Sequence, residues 1–108
     1  MIYQVITTER SETDLQNIYQ YFLLHHNDPD TGARLADRLM TRIEALQWLP
    51  ERYRLYEMEP YRSQGLHVMP VGRYLVFYKV DSRRAHVIIH RILYGGMDLS
   101  AALHDTEP

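Results

Sequence analysis

The sequence predicts an α+β fold, and three observations carry that prediction. Two amphipathic helical stretches of similar length follow a short apolar start. Three segments rich in β-branched and aromatic residues then crowd into the second half. Both faces of those segments are about half apolar, so a helical hairpin is expected to cover one face of a twisted, mainly antiparallel sheet. The element order is β-α-α-β-β-β, closed by a short C-terminal helical turn.

Each element has its own local reason. Residues 2–7, Ile-Tyr-Gln-Val-Ile-Thr, favour a strand. Thr7 and Thr8 offer capping hydroxyls, and Glu9 and Glu12 sit where a helix N-terminus favours acids. Leu15, Ile18, Tyr19, Phe22 and Leu23 then recur on one helical stripe, and the helix runs to about His25. Asn27-Asp28-Pro29-Asp30 is turn chemistry that also caps the next helix. That second helix carries Leu35, Leu39, Ile43 and Leu46 on one face and is closed by Pro50. Residues 51–65 read as a polar and aromatic loop.

The first of the three later strands, Leu66–Val71, contains Pro70 and so belongs at or near a sheet edge. Tyr74–Val80 places Leu75 and Phe77 on one face and Tyr74, Val76, Tyr78 and Val80 on the other. Asp81-Ser82-Arg83-Arg84 connects it to Val87–Leu93, which ends at Gly95-Gly96. Met97–Leu103 suits one or two helical turns, and His104–Pro108 is expected to be a loose tail.

Size and composition fit one domain spanning 1–108 with a single modest core. No stretch approaches the roughly 18 apolar residues that span a bilayer, and the N-terminus lacks the basic and small-residue marks of a secretory signal. Without cysteine there is neither a disulfide nor a thiolate metal site, and a cytoplasmic location is the default expectation. Charge is unevenly placed. Residues 52–91 hold eight Arg/Lys against three acids, a net +5, while the rest holds four basic and eleven acidic residues, a net −7. Such asymmetry suggests a face for an anionic partner, whereas the overall charge of −2 argues against strong sequence-blind nucleic-acid binding.

Chemical motifs are sparse. His86 and His90 stand four apart, which in a strand is roughly 13 Å and too far for one ion to bridge. His25-His26 falls at a helix end, where such side chains are favoured without a metal. There is no nucleophile elbow and no Gly-rich phosphate loop. Neither a metal nor a cofactor is expected.

The informative pattern is Gly65-Leu66-His67-Val68-Met69-Pro70-Val71-Gly72-Arg73-Tyr74-Leu75-Val76-Phe77-Tyr78-Lys79-Val80, followed by Val87 to Leu93 and Tyr94-Gly95-Gly96-Met97-Asp98. Together with the Thr8-to-Ile18 run (Ser11, Asp14-Leu15) and Ile43-x-x-Leu46 before Pro50, it resembles the RelE/ParE superfamily of toxins from type II toxin–antitoxin systems over residues 2–103. That resemblance implies one of two activities. RelE-type members are ribosome-dependent mRNA endonucleases, whose sheet carries Lys and Arg groups for proton transfer and phosphate neutralisation. At the matching positions this chain has Leu66, Val68, Leu75 and Gly95, which can do neither. ParE-type members instead inhibit DNA gyrase and need a binding surface. The segment Arg91-Ile92-Leu93-Tyr94-x-x-Met97-Asp98 is most similar to that branch, so no enzymatic activity is expected.

Two departures from the ParE pattern reduce charge: His67 stands where the family usually has Arg after Gly-Tyr, and Tyr94 where His is usual after Arg-Ile-Leu. The resemblance implies a target-binding patch of Arg62, His67, Arg73, Arg91, Tyr94 and Met97. It further implies a ParD-like antitoxin that folds on binding, with Tyr21, Leu24 and Trp48 as apolar anchors. The alternatives are the RNA endonuclease and a degenerate member that retains only antitoxin binding.

Overall fold

The computed structural model describes residues 1–104, so the tail assigned to His104–Pro108 lies, beyond its first residue, outside the described residues. Strand β1 (Gln4–Thr7) leads into helices α1 (Glu9–His25) and α2 (Pro29–Glu44). Strands β2 (His67–Val71), β3 (Tyr74–Asp81) and β4 (His86–Tyr94) follow, and helix α3 (Leu99–His104) comes last. The four strands form one sheet in the order β1-β4-β3-β2. Strands β2, β3 and β4 pair antiparallel, whereas β1 pairs parallel with β4. The α+β architecture and element order match the sequence prediction.

Local chemistry sets the helix starts. Thr8 caps α1: its hydroxyl accepts from the Ser11 amide at 3.1 Å, and the Thr8 amide donates back to Ser11 Oγ at 3.0 Å. The same hydroxyl donates to the Ile89 carbonyl at 2.8 Å and so ties the cap to β4. Asp28 caps α2, with Pro29 in its first turn. Helix α2 stops at Glu44, earlier than Pro50 would impose. Two short 3-10 turns, Ala45–Gln47 and Pro50–Arg52, carry the chain onward, and Leu49 between them is left-handed at φ 46°. Buried Tyr78 fastens this connection by donating its hydroxyl to the Pro50 carbonyl at 2.6 Å, and burial pushes its ionisation well up.

The two faces of β3 sort as its alternation predicts. Val76 and Tyr78 join Ile18, Leu39, Ile43 and Leu46 beneath the helical hairpin. Phe77 joins Tyr61, Leu66, Val68, Leu93 and Leu103 on the opposite face. That second face is covered by α3 and the segment after Tyr53, so the irregular loop expected at residues 51–65 also packs on the sheet through Tyr56 and Tyr61. It carries the Tyr56 ring edge-on to Phe77 at 5.3 Å. Leu23 departs from its predicted inward stripe and is exposed. Pro70 sits exposed in β2, which is an edge strand as expected.

Strand β4 does not alternate regularly. Phe77 pairs with Arg91 but Tyr78 pairs with Ile89, so His90 is an extra residue, a β-bulge. The bulge keeps Val87, Ile89 and Ile92 under the helices and sends Arg91 and Leu93 out of that register. Burial, and secondarily Lys79, hold the His90 imidazole below its ordinary pKa of 6.5. Below that value the unfolded chain binds the proton more readily than the native one, so stability rises with pH across this window. Acidifying from neutral pH through the histidine range is expected to lower the urea midpoint. His90→Gln should flatten that dependence, and an unchanged profile in the variant would refute the assignment.

Candidate functional site: a groove between α1 and the end of β4

Strand β1 ends at Thr7, opposite Ile89, so residues beyond Ile89 on β4 have no strand on that side. Helix α1 takes over the edge with one carboxylate. Asp14 Oδ2 accepts the Ile92 amide at 2.9 Å and Arg91 Nε at 2.7 Å, while Oδ1 accepts Arg91 Nη2 at 2.9 Å. Arg91 Nη1 reaches on to the Ala102 carbonyl of α3 at 3.0 Å. The pair is almost fully buried, with Arg91 7% and Asp14 8% exposed. This bidentate contact therefore joins α1, β4 and α3 through directed, charge-assisted hydrogen bonds.

Above the ion pair lies a groove of about 760 Å³, walled by α1 on one side and by the β3 start and β4 end on the other. Its rim carries half-exposed Tyr21, Tyr94 and Met97, with Phe22 and Ile18 deeper and exposed Arg73 at the mouth. Tyr94 meets Tyr74 edge-on at 5.8 Å, and burial raises the Tyr74 ionisation. Gly95 donates its amide to the Arg73 carbonyl at 2.9 Å. A Cβ at this position would stand 3.2 Å from that oxygen, so close backbone approach explains the glycine. The arrangement is an apolar, aromatic cleft with one cation at its entrance.

The fold thus brings together Arg73, Arg91, Tyr94 and Met97 from the expected target patch, although Arg91 serves as the floor beneath the groove. Tyr21, expected to meet the antitoxin, lines the same groove. The others lie elsewhere. Leu24 is 73% exposed on α1, outside the groove lining, and Trp48 is 51% exposed after the first 3-10 turn. Arg62 is exposed in the layer over the second sheet face. His67 is half-buried on β2, stacked on Tyr78 at 5.2 Å, and its Nδ1–H donates to the Tyr53 carbonyl at 2.8 Å.

Sequence reading missed the structural role of Asp14. Its signal was available: Ser11, Asp14 and Ile18 share the buried stripe of α1, and a carboxylate on such a stripe requires a partner. The positions that the resemblance aligns with RNase side chains are also accounted for. Leu66 and Val68 are buried with Phe77, and Leu75 packs against them, beneath a covered sheet face. Among the described residues no group of three or more His, Cys, Asp or Glu side chains is placed to hold a metal. No described helix is long and apolar enough to cross a membrane.

The molecule is thus a two-helix hairpin on a β1-β4-β3-β2 sheet, with a groove beside the end of β4. Residues 5–99 match the family described as the ParE toxin of the type II toxin–antitoxin system parDE, and the chain belongs to that family. Solved structures of the superfamily share the fold. The chromosomal ParDE system of P. aeruginosa aligns with a TM-score of 0.72 at 15% identity, covering 86% of this chain and 96% of the other. The toxin–antitoxin complex RelBE2 of Mycobacterium tuberculosis gives 0.61 at 20% identity, over 87% and 99%. A double mutant of the E. coli toxin RelE in the free state gives 0.65 at 13% identity, over 98% and 94%. No curated protein matches the chain.

Proposed function

We propose that this toxin disables DNA gyrase in the cytoplasm by binding, without cleaving RNA, and that a ParD-like antitoxin neutralises it by folding a helix into the groove above Asp14–Arg91. The observation that carries the non-catalytic half is the packing of Leu66, Val68 and Leu75 around Phe77. A ribosome-dependent nuclease of this superfamily needs proton-transferring and cationic side chains there, and apolar ones supply neither. The antitoxin half is supported by the groove itself, whose half-exposed aromatic and Met rim suits an amphipathic helix.

Induced expression in cells separates the readings. Gyrase inhibition should produce DNA breaks and filamentation, with purified toxin blocking supercoiling in vitro. An RNase would instead stop translation at once and leave cleaved transcripts. For the groove, Tyr94→Ala combined with Tyr21→Ala should weaken antitoxin binding by about tenfold or more, since each removes a half-exposed aromatic anchor that a bound helix would cover. Unchanged antitoxin affinity in that double variant would move the binding site elsewhere. Absence of toxicity with tight antitoxin binding would identify a member that has lost its target.

A further inference from the structure

Two hydroxyls converge on one sulfur where α3 meets the segment that covers the second sheet face. Tyr56 Oη donates to Met58 Sδ at 3.4 Å, and Ser100 Oγ, in the first turn of α3, donates to the same sulfur at 3.4 Å. Tyr56 is itself fixed, edge-on to Phe77 at 5.3 Å and 6.1 Å from the Tyr61 ring. Helix α3 has only six residues, too few to persist without packing, and it leans on the sheet through Leu99, Ala102 and Leu103. The thioether is therefore a joint between a fixed ring and a short helix. That helix also presents the Ala102 carbonyl to Arg91 Nη1 at 3.0 Å, so the joint lies one element away from the ion pair under the groove.

The other methionines are placed differently. Met69 is fully buried, and Met40 packs against the core beneath the helices. Met1 and Met97 are exposed, Met97 to 45%. Met58 is 47% exposed, and among the described residues it is the only methionine whose sulfur accepts hydrogen bonds. We propose that Met58 is a modification site, where a peroxide oxidises the thioether to the sulfoxide and thereby unseats α3. The sulfur lone pair attacks one peroxide oxygen, the O–O bond breaks, and sulfur gives up two electrons. The departing hydroxide takes the proton carried by the transferred oxygen, so thioether and hydrogen peroxide become sulfoxide and water. The Tyr56 and Ser100 hydroxyls stand where they can donate to the departing oxygen. The product no longer fits between them. Its new oxygen projects along a lone pair, toward a hydroxyl oxygen 3.4 Å from the sulfur. An O–H···O contact alone takes about 2.5–3.0 Å, so that contact and a sulfur–oxygen bond in line exceed the gap and one hydroxyl must withdraw. Phe77 and Tyr61 hold Tyr56 in place, so Ser100 and α3 give way.

The test treats the full-length protein with hydrogen peroxide, following each methionine by peptide mass spectrometry and α3 by amide exchange. Met58 should convert while Met69 stays reduced. The amides of Ala102 and Leu103 should then exchange about three- to tenfold faster, the ratio for losing one neutral hydrogen bond. Repair by stereospecific methionine sulfoxide reductases should restore slow exchange. Met97→Leu should respond as the parent does. In Met58→Leu, a swap of similar volume, the same peroxide dose should leave α3 exchange unchanged. Should Met58→Leu fail to fold, Ser100→Ala removes the donor on α3 and should blunt the response in the same way. Resistance of Met58 under conditions that convert Met97 would overturn the proposal. So would conversion of Met58 without any change in α3, or acceleration in Met58→Leu equal to that of the parent.

Discussion

Asp14→Ala is expected to destabilise the protein by about 3–5 kcal/mol in urea denaturation, because it strands the Arg91 guanidinium without its anion inside the fold. It also orphans the Ile92 amide, which the same carboxylate satisfies. Small domains have only about 5–15 kcal/mol of total stability, so this one change approaches the limit of what the fold tolerates. Arg91→Leu should cost less, since Asp14 keeps its bond from Ile92. The double variant Asp14→Leu/Arg91→Leu should recover part of the Asp14→Ala loss, because well-packed apolar side chains often replace a buried ion pair at little cost. A loss of less than about 1 kcal/mol for Asp14→Ala, the range of surface pairs, would show that the pair does not clamp α1 to β4.

The second large effect lies on the other sheet face. Phe77→Ala should cost about 3–5 kcal/mol, the range for truncating a fully buried aromatic. Its ring holds Tyr56, Leu66 and Leu103 against the sheet, so the loss should fall unevenly. Amide exchange in α3 and in residues 53–66 should accelerate far more than in α1 and α2, which pack on the opposite side. Uniform acceleration across the chain would mean that the two clusters are a single cooperative core.

Much of the fold was legible because its signals are local. Helical periodicity located α1 and α2, and strict alternation sorted both faces of β3 correctly. What escaped notice depends on pairing across the chain. The bulge at His90 breaks alternation in β4, and sequence periodicity alone places Arg91 in register with Val87 and Ile89 rather than beside Asp14. The groove shows the same limit: Tyr21 was assigned to one partner and Tyr94 to another, yet α1 and β4 set them around one cleft. Charge counting by segment was blind in a further way. Arg34, Arg38 and Arg42 fall within the stretch of net −7, yet packing brings Arg42 together with Arg52, from the stretch of net +5, at the Tyr53 ring. Residues 51–65 looked like a loop because their apolar side chains follow no period, which is how an irregular packed layer reads.

The parallel pairing of β1 with β4 governs when this protein can come into being during synthesis. Gln4 waits for His86, and β4, the strand that β1 and β3 both require, is the last of the described strands to be synthesised. At ordinary translation speeds of about 5–20 residues per second, the helical hairpin and the β2–β3 hairpin exist for seconds without the strand that joins them. Throughout that interval the Asp14 carboxylate has no Arg91 and the groove has no second wall. A message broken before the codons for Arg91 to Met97 therefore yields a chain that lacks the second wall of the groove and the cation that satisfies Asp14.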